Sequence, residues 1–203
     1  MQNRVTSARL TQIALLFCAL PLAACGDDLA IDSTQTERSP LVATESNGAG
    51  ESTTTIDASN AEAWVYFSFA SGAEVTPVDP ATSADWDLGF QRFHIISNGG
   101  VSGSGGAAVA AVVEQTFESV TSAPAEGYVA DQPDSDDDDA VANSAFAENG
   151  GWYDYDGATN RLSPKPIVYV VRTSTGAHYK LEILDYYDAA GTSGHPSFVW
   201  MPL

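Results

Sequence analysis

The sequence predicts an all-β fold of antiparallel sheets, and three observations point to it. After residue 59 the apolar pattern repeats every two residues, β-branched and aromatic side chains dominate the apolar runs, and Gly or Pro stands at their junctions. Ala63-Trp64-Val65-Tyr66-Phe67-Ser68-Phe69 is such a run, a strand by composition. Trp86 to Ile96 reads as a second strand. It puts Trp86, Leu88, Phe90 and, by the same parity, His94 on one face, with Gly89 and Gln91 opposite. Pro166 to Arg172 is a buried-type strand. A turn centred on Gly176 leads it back through Ala177 to Tyr187, where Tyr179, Leu181 and Ile183 point one way and His178, Lys180 and Glu182 the other. Phe198-Val199-Trp200-Met201 makes a short closing strand. The one helix expected lies around Ala107 to Phe117. The acidic run from Asp131 to Asp139 reads as a solvated loop. It lacks the sixth-position glycine and the closing acid of an EF-hand frame begun at Asp134 or Asp136.

The front of the chain is of a different kind. Arg4 and Arg9 precede the apolar run Ile13 to Leu20, and Leu22-Ala23-Ala24-Cys25 follows, the order of a secretory signal peptide. The run is too short for a membrane span, which needs about 20 apolar residues. Ending in a cysteine behind two alanines, it resembles a bacterial lipoprotein signal. That resemblance implies cleavage of residues 1–24 and diacylation of Cys25; an ordinary cut at the same place is the alternative. Gly26 follows the cysteine where an Asp would signal inner-membrane retention, so an outer-membrane address is favoured. Residues 25–58 are rich in Ser, Thr, Gly, Asp and Glu and are expected to form a lipidated, disordered tether. Residues 59–203 form the single globular domain.

Charge narrows the function. Loss of Arg4 and Arg9 with the signal takes the net charge from −19 to −21. So acidic a chain repels phosphate backbones and anionic headgroups, which argues against nucleic acid and leaves membrane attachment to the acyl chains. The two cysteines are Cys18, removed with the signal, and Cys25, consumed by lipid. No thiol is then left for a disulfide, a nucleophile or a zinc site.

Asp85-Trp86-Asp87-Leu88-Gly89-Phe90-Gln91-Arg92, followed by the Gly/Ser-rich stretch Asn98 to Gly106, resembles the HmuY family of bacterial haem-binding lipoproteins. The C-terminal part agrees, from the strand at Ile167 to Val171 through His178 to Leu184, Tyr186-Tyr187 and Phe198-Val199-Trp200. The resemblance implies an all-β HmuY-like domain and capture of haem for iron acquisition, with delivery to an outer-membrane receptor. Characterised members hold iron with paired His or with Met on loops of the second half. Between Val120 and Lys165 this chain has no His, Met or Cys, so no family ligand maps onto a matching position.

The candidate ligands must therefore come from the residue types that haem iron accepts. His94, His195 in Thr192-Ser193-Gly194-His195-Pro196, and Tyr153 in Trp152-Tyr153-Asp154-Tyr155 are the candidates. Each has a plain alternative: a hydrogen-bonded structural His, a turn residue, and an aromatic that covers a sheet together with Tyr155. His178 is expected in solvent and Met201 in the core.

Catalysis finds little to stand on. There is no Gly-x-Ser-x-Gly elbow and no Walker loop. Gly103 to Ala108 satisfies Gly-x-Gly-x-x-Ala, but no βαβ alternation follows, so these glycines are expected to form a bend between strands. Besides haem binding, the reading kept open is a surface interaction or adhesion module with the fold but without a haem ligand.

Overall fold

The two-residue alternation becomes two facing antiparallel sheets in the computed structural model, which describes residues 39–135 and 141–203. The larger sheet runs in the order β1 (Val42–Gly48), β2 (Glu51–Ile56), β12 (Ser193–Pro202), β11 (His178–Tyr187), β10 (Val168–Arg172), β7 (Ala108–Val112). The smaller runs β4 (Ala73–Val75), β3 (Val65–Ser68), β5 (Leu88–Gln91), β6 (His94–Ser97). A separate hairpin pairs β8 (Tyr153–Asp156) with β9 (Arg161–Pro164), just after the four-residue helix α1 (Ala145–Glu148). Both large sheets give their apolar faces to one core, the usual way for two amphipathic sheets to leave water. Phe90 of β5 stacks on Phe198 of β12 with centroids 5.6 Å apart, and Phe67 of β3 meets Phe198 and Trp200 edge-on at 5.5 and 5.8 Å.

The expected β10–β11 hairpin is present, in register from Val168↔Glu182 to Arg172↔His178. Its turn closes with Thr173 N donating to Ala177 O at 2.9 Å, and Gly176 takes the positive φ of 82° that its position requires. Leu181 and Ile183 enter the core as expected.

Four expectations about this framework need correction. The expected disordered tether reaches too far, because β1 and β2 lie within 25–58. The Thr-rich run Ser52 to Ile56 is β-branched as well as polar, and the edge of β12 supplies its hydrogen bonds in the register Ser197↔Thr55 to Trp200↔Ser52. Thr54 is fully buried and accepts from Trp200 Nε1 at 2.8 Å; Ile56 is equally buried. The strand-built domain thus begins at Val42, and the signal segment and Cys25 lie outside the described residues.

The helix expected around Ala107 to Phe117 is strand β7, in register with β10 from Val168↔Val112 to Arg172↔Ala108, and a 3-10 turn follows at Phe117–Ser119. Val109 and Val112 suit a pleated surface, and the open edge of β10 outweighs the alanines' helix preference.

The strand expected from Trp86 to Ile96 is two strands joined at Arg92-Phe93, where Arg92 adopts φ 52°. Long-range contacts hold that turn: Arg92 N donates to Ala58 O, Nη1 to Ser59 O and Nη2 to Ser193 Oγ, at 2.9, 3.0 and 3.0 Å. The pairing Gln91↔His94 puts His94 on Gln91's side, opposite Leu88 and Phe90. Trp86 also leaves their face and packs on Tyr66 at 4.8 Å.

The fourth correction concerns Lys180, expected on a polar face. It is only 4 % exposed, beneath the segment that carries Phe117 and Val120 over the outer side of the larger sheet. Its Nζ donates to Phe117 O and, at 2.8 Å, to Val120 O, and lies 4.3 Å from the Phe117 ring centroid. Met201 packs against this second cluster, a packing role as expected. Lys180→Met keeps the aliphatic stem and strips both carbonyls of their partner. Its expected cost is about 1–3 kcal/mol in urea unfolding; a variant as stable as wild type would mean that water replaces both bonds.

Candidate ligand cleft

Because the β5–β6 turn pushes Phe93 and His94 out from the smaller sheet, they meet the chain running from α1 into β8. Between them lies a cleft of about 380 Å³, walled by Phe93 to Ile96 on one side and by 141–144, Ala147 and Gly150 to Tyr153 on the other, with Lys165 at its margin. That volume lies within the range of about 300–1,000 Å³ usual for small-molecule sites.

The walls are anchored to the core. Trp152 is 4 % exposed, belongs to the main core cluster, and donates from Nε1 to Phe93 O at 3.0 Å, tying the two sides together. Phe93 lies 4.2 Å from the His94 ring and meets Tyr153 edge-on at 6.0 Å; Tyr153 packs on Trp152 at 4.8 Å. Helix α1 starts with Ser144 Oγ accepting from Ala147 N at 3.1 Å, an N-cap. Phe146 plugs it into the core against Tyr169 at 4.9 Å, and Asn149 Nδ2 donates to Ala145 O and to Val109 O of β7. Burial without a hydrogen-bond partner among the described residues pushes the Tyr169 hydroxyl well above its ordinary pKa.

Asp131 sets the remaining wall. Expected in a solvated acidic loop, of which 136–139 lie outside the described residues, it is instead 1 % exposed. Its carboxylate accepts from Ser97 N and Ser97 Oγ at 2.9 Å each and from Ala145 N at 2.8 Å, joining the end of β6 to the start of α1. Its carbonyl accepts from Val101 N at 3.1 Å. Gly100, at φ 62°, lets that backbone pass, since a β-carbon there would sit 1.9 Å from Asp131 O. The Gly/Ser-rich stretch is a bend between strands, as expected, closed by Asn98, whose Nδ2 donates to Ser83 O and Trp86 O while Oδ1 accepts from Gly105 N.

The structure brings two of the candidate ligands to one place: His94 and Tyr153 both line this cleft. It does not bring His195. That side chain lies off the cleft, with Nε2 3.4 Å from Asp57 Oδ1 and Nδ1 3.3 Å from Thr192 O. Asp57 is held below the usual carboxylate range chiefly by the Ser59 hydroxyl, with His195 a lesser contributor. Tyr155 points outward and donates to Asn160 Oδ1 at 2.6 Å, and His178 is half-buried beside Tyr128 at 5.8 Å. Phe93, Trp152 and Lys165 complete the cleft although nothing in the local sequence pattern marks them. Among the described residues, no group of three or more His, Cys, Asp or Glu could hold a metal ion by itself, and no helix is long and apolar enough to cross a membrane.

Residues 60–200 match the model of a family described as HmuY protein. Among solved structures, the apo HmuY analog of Tannerella forsythia superposes with a TM-score of 0.57 at 20% identity, over 79% of this chain and 96% of that one. A Bacteroides vulgatus protein described as a candidate HmuY-like haem binder superposes with a TM-score of 0.58 at 15% identity, over 80% and 97%. A candidate lipoprotein of Bacteroides fragilis gives 0.57 at 19% identity, over 78% and 94%. No curated protein is a significant match. At these identities the superpositions show a shared all-β fold.

Proposed function

The chain belongs to the HmuY family, and from that premise we propose that it is an exported lipoprotein whose cleft binds haem, or a related porphyrin, for iron acquisition without catalysis. The observation that carries this reading is the meeting of His94 and Tyr153 in one aromatic-walled cleft. A flat apolar ligand needs such walls, and both side chains are types that ligate haem iron. When bound, the haem would supply an iron able to accept a donor atom from the protein.

The protein's own residues do the rest. His94 presents its imidazole from a strand whose pairing with β5 fixes its place in the cleft wall. Phe93, exposed at the turn, presents ring surface, while the buried Trp152 indole ties the turn carrying His94 to the segment carrying Tyr153. Ala147, Gly150 and Gly151 keep the opposite wall free of bulk. Lipidated Cys25 would tether the domain to the outer membrane, within reach of a haem receptor.

Titrating the soluble domain with haemin tests the reading: a Soret shift that saturates at one equivalent is expected. A flat titration would overturn it and leave the interaction module, for which Phe93 and Tyr155, 38% and 59% exposed, supply surface.

A further inference from the structure

We infer that Lys165 is a specificity-determining residue of the cleft: it takes a carboxylate of the ligand, so that the cleft prefers a free-acid porphyrin to its ester. This rests on the porphyrin reading of the cleft. Haem carries two propionates, and a chain of net charge −19 repels such an anion over most of its surface. Binding a dianion here calls for a local cation, and most of the described cations are already engaged elsewhere. Arg92 holds the Ser59 carbonyl and Ser193, Arg161 lies 4.0 Å over the Tyr187 ring, Arg172 lies 5.0 Å over Tyr128, and Lys180 is buried on two carbonyls. Lys165 alone of these five lines the cleft.

Its ammonium is placed and has capacity left. Nζ donates to Gly150 O at 2.7 Å, which fixes it over the turn between α1 and β8. Its second partner, Asp154 Oδ1, is 3.7 Å away on a side chain 79% exposed, a screened pair easily exchanged for a ligand carboxylate. An ammonium has three N–H donors, so the Gly150 bond can persist while a carboxylate is taken. Gly151, at φ 71°, puts no side chain beside the amine; a β-carbon there would lie in contact with Nζ, at 3.9 Å.

The experiment compares haemin with haemin dimethyl ester on wild type, Lys165→Met and Lys165→Arg. Wild type should bind the free acid about tenfold more tightly at low salt, the size of one charge-assisted contact, and the preference should shrink as salt rises. Lys165→Met should lose the preference while keeping its ester affinity, and Lys165→Arg should restore it. A lysine that merely pins the turn would weaken both ligands alike in the Met variant and leave their ratio unchanged, and that result overturns the inference. Equal binding of acid and ester by wild type also overturns it but leaves the porphyrin reading standing. Binding of neither overturns both.

Discussion

Alanine in place of Asp131 is expected to lower the unfolding free energy by about 3 kcal/mol or more, since each buried donor left without an acceptor costs about 1–3 kcal/mol. Ser97 N, Ser97 Oγ and Ala145 N all donate to that carboxylate, with the Ser102 hydroxyl beside them. The loss should spread to the cleft, because this carboxylate joins Ala145 at the start of α1 to Ser97 of β6. Urea unfolding and haemin affinity measured on the same variant check both effects. An alanine variant within about 1 kcal/mol of wild type would show that water takes over the carboxylate's role.

Asp131 also carries a pH signature. Burial, the largest influence, lifts its carboxyl above the ordinary value of 3.8, against the hydrogen bonds from Ser102, Ala145 and Ser97. The native state therefore holds this proton more tightly than the unfolded chain does. The contribution is fully present below the ordinary value and is lost as pH rises through the shifted one. Asp131→Asn removes that titration, so the stability of wild type minus that of Asn should fall as pH rises above about 4 and then level off. A difference that rises over this interval would mean that the hydrogen bonds outweigh burial.

His94→Ala carries the second large effect, on binding rather than stability. Loss of partners that only orient a metal ligand costs about 10–100-fold in affinity, so loss of the ligand itself should weaken haemin binding at least that much and change the Soret band. The fold should survive, because His94 is half-buried at the start of β6 and outside the main core. His195→Ala, paired with Asp57 away from the cleft, should bind as wild type does. Tyr153→Phe separates a phenol oxygen at the iron from a ring that only packs on Trp152 and Phe93. Were His94→Ala to bind haemin as tightly as wild type, with the same spectrum, His94 would be only a wall of the cleft.

How much of the cleft was legible in the sequence depends on which residue is asked about. His94 and Tyr153 stood out because their side chains can ligate iron, and the fold does bring them together. The reason first attached to His94, a shared parity with Phe90, does not survive. The Arg92-Phe93 turn reverses the chain, and it is the reversal that carries His94 out of the core-facing row. His195 stood out on chemistry as well and lies elsewhere, since chemistry marks a residue's capacity and not its location. Trp152 and Lys165 gave no local signal. Each matters through a partner distant in sequence: Phe93 is 59 residues from Trp152 and Gly150 is 15 from Lys165.

Alternating apolar residues were enough to determine an all-β chain, the β10–β11 hairpin and its inward face, because side-chain direction in a strand follows from local geometry. The same local information misread 107–117 as helix and 42–56 as tether. Alanine and threonine runs are weakly committed, and a free strand edge elsewhere in the fold settles their state. Tertiary structure alone decided which polar residues are buried, Asp131, Thr54 and Lys180 among them, and where the cleft opens. Burial of a polar group depends on partners that only the folded chain assembles, and a cleft is the space left between segments that pack against each other.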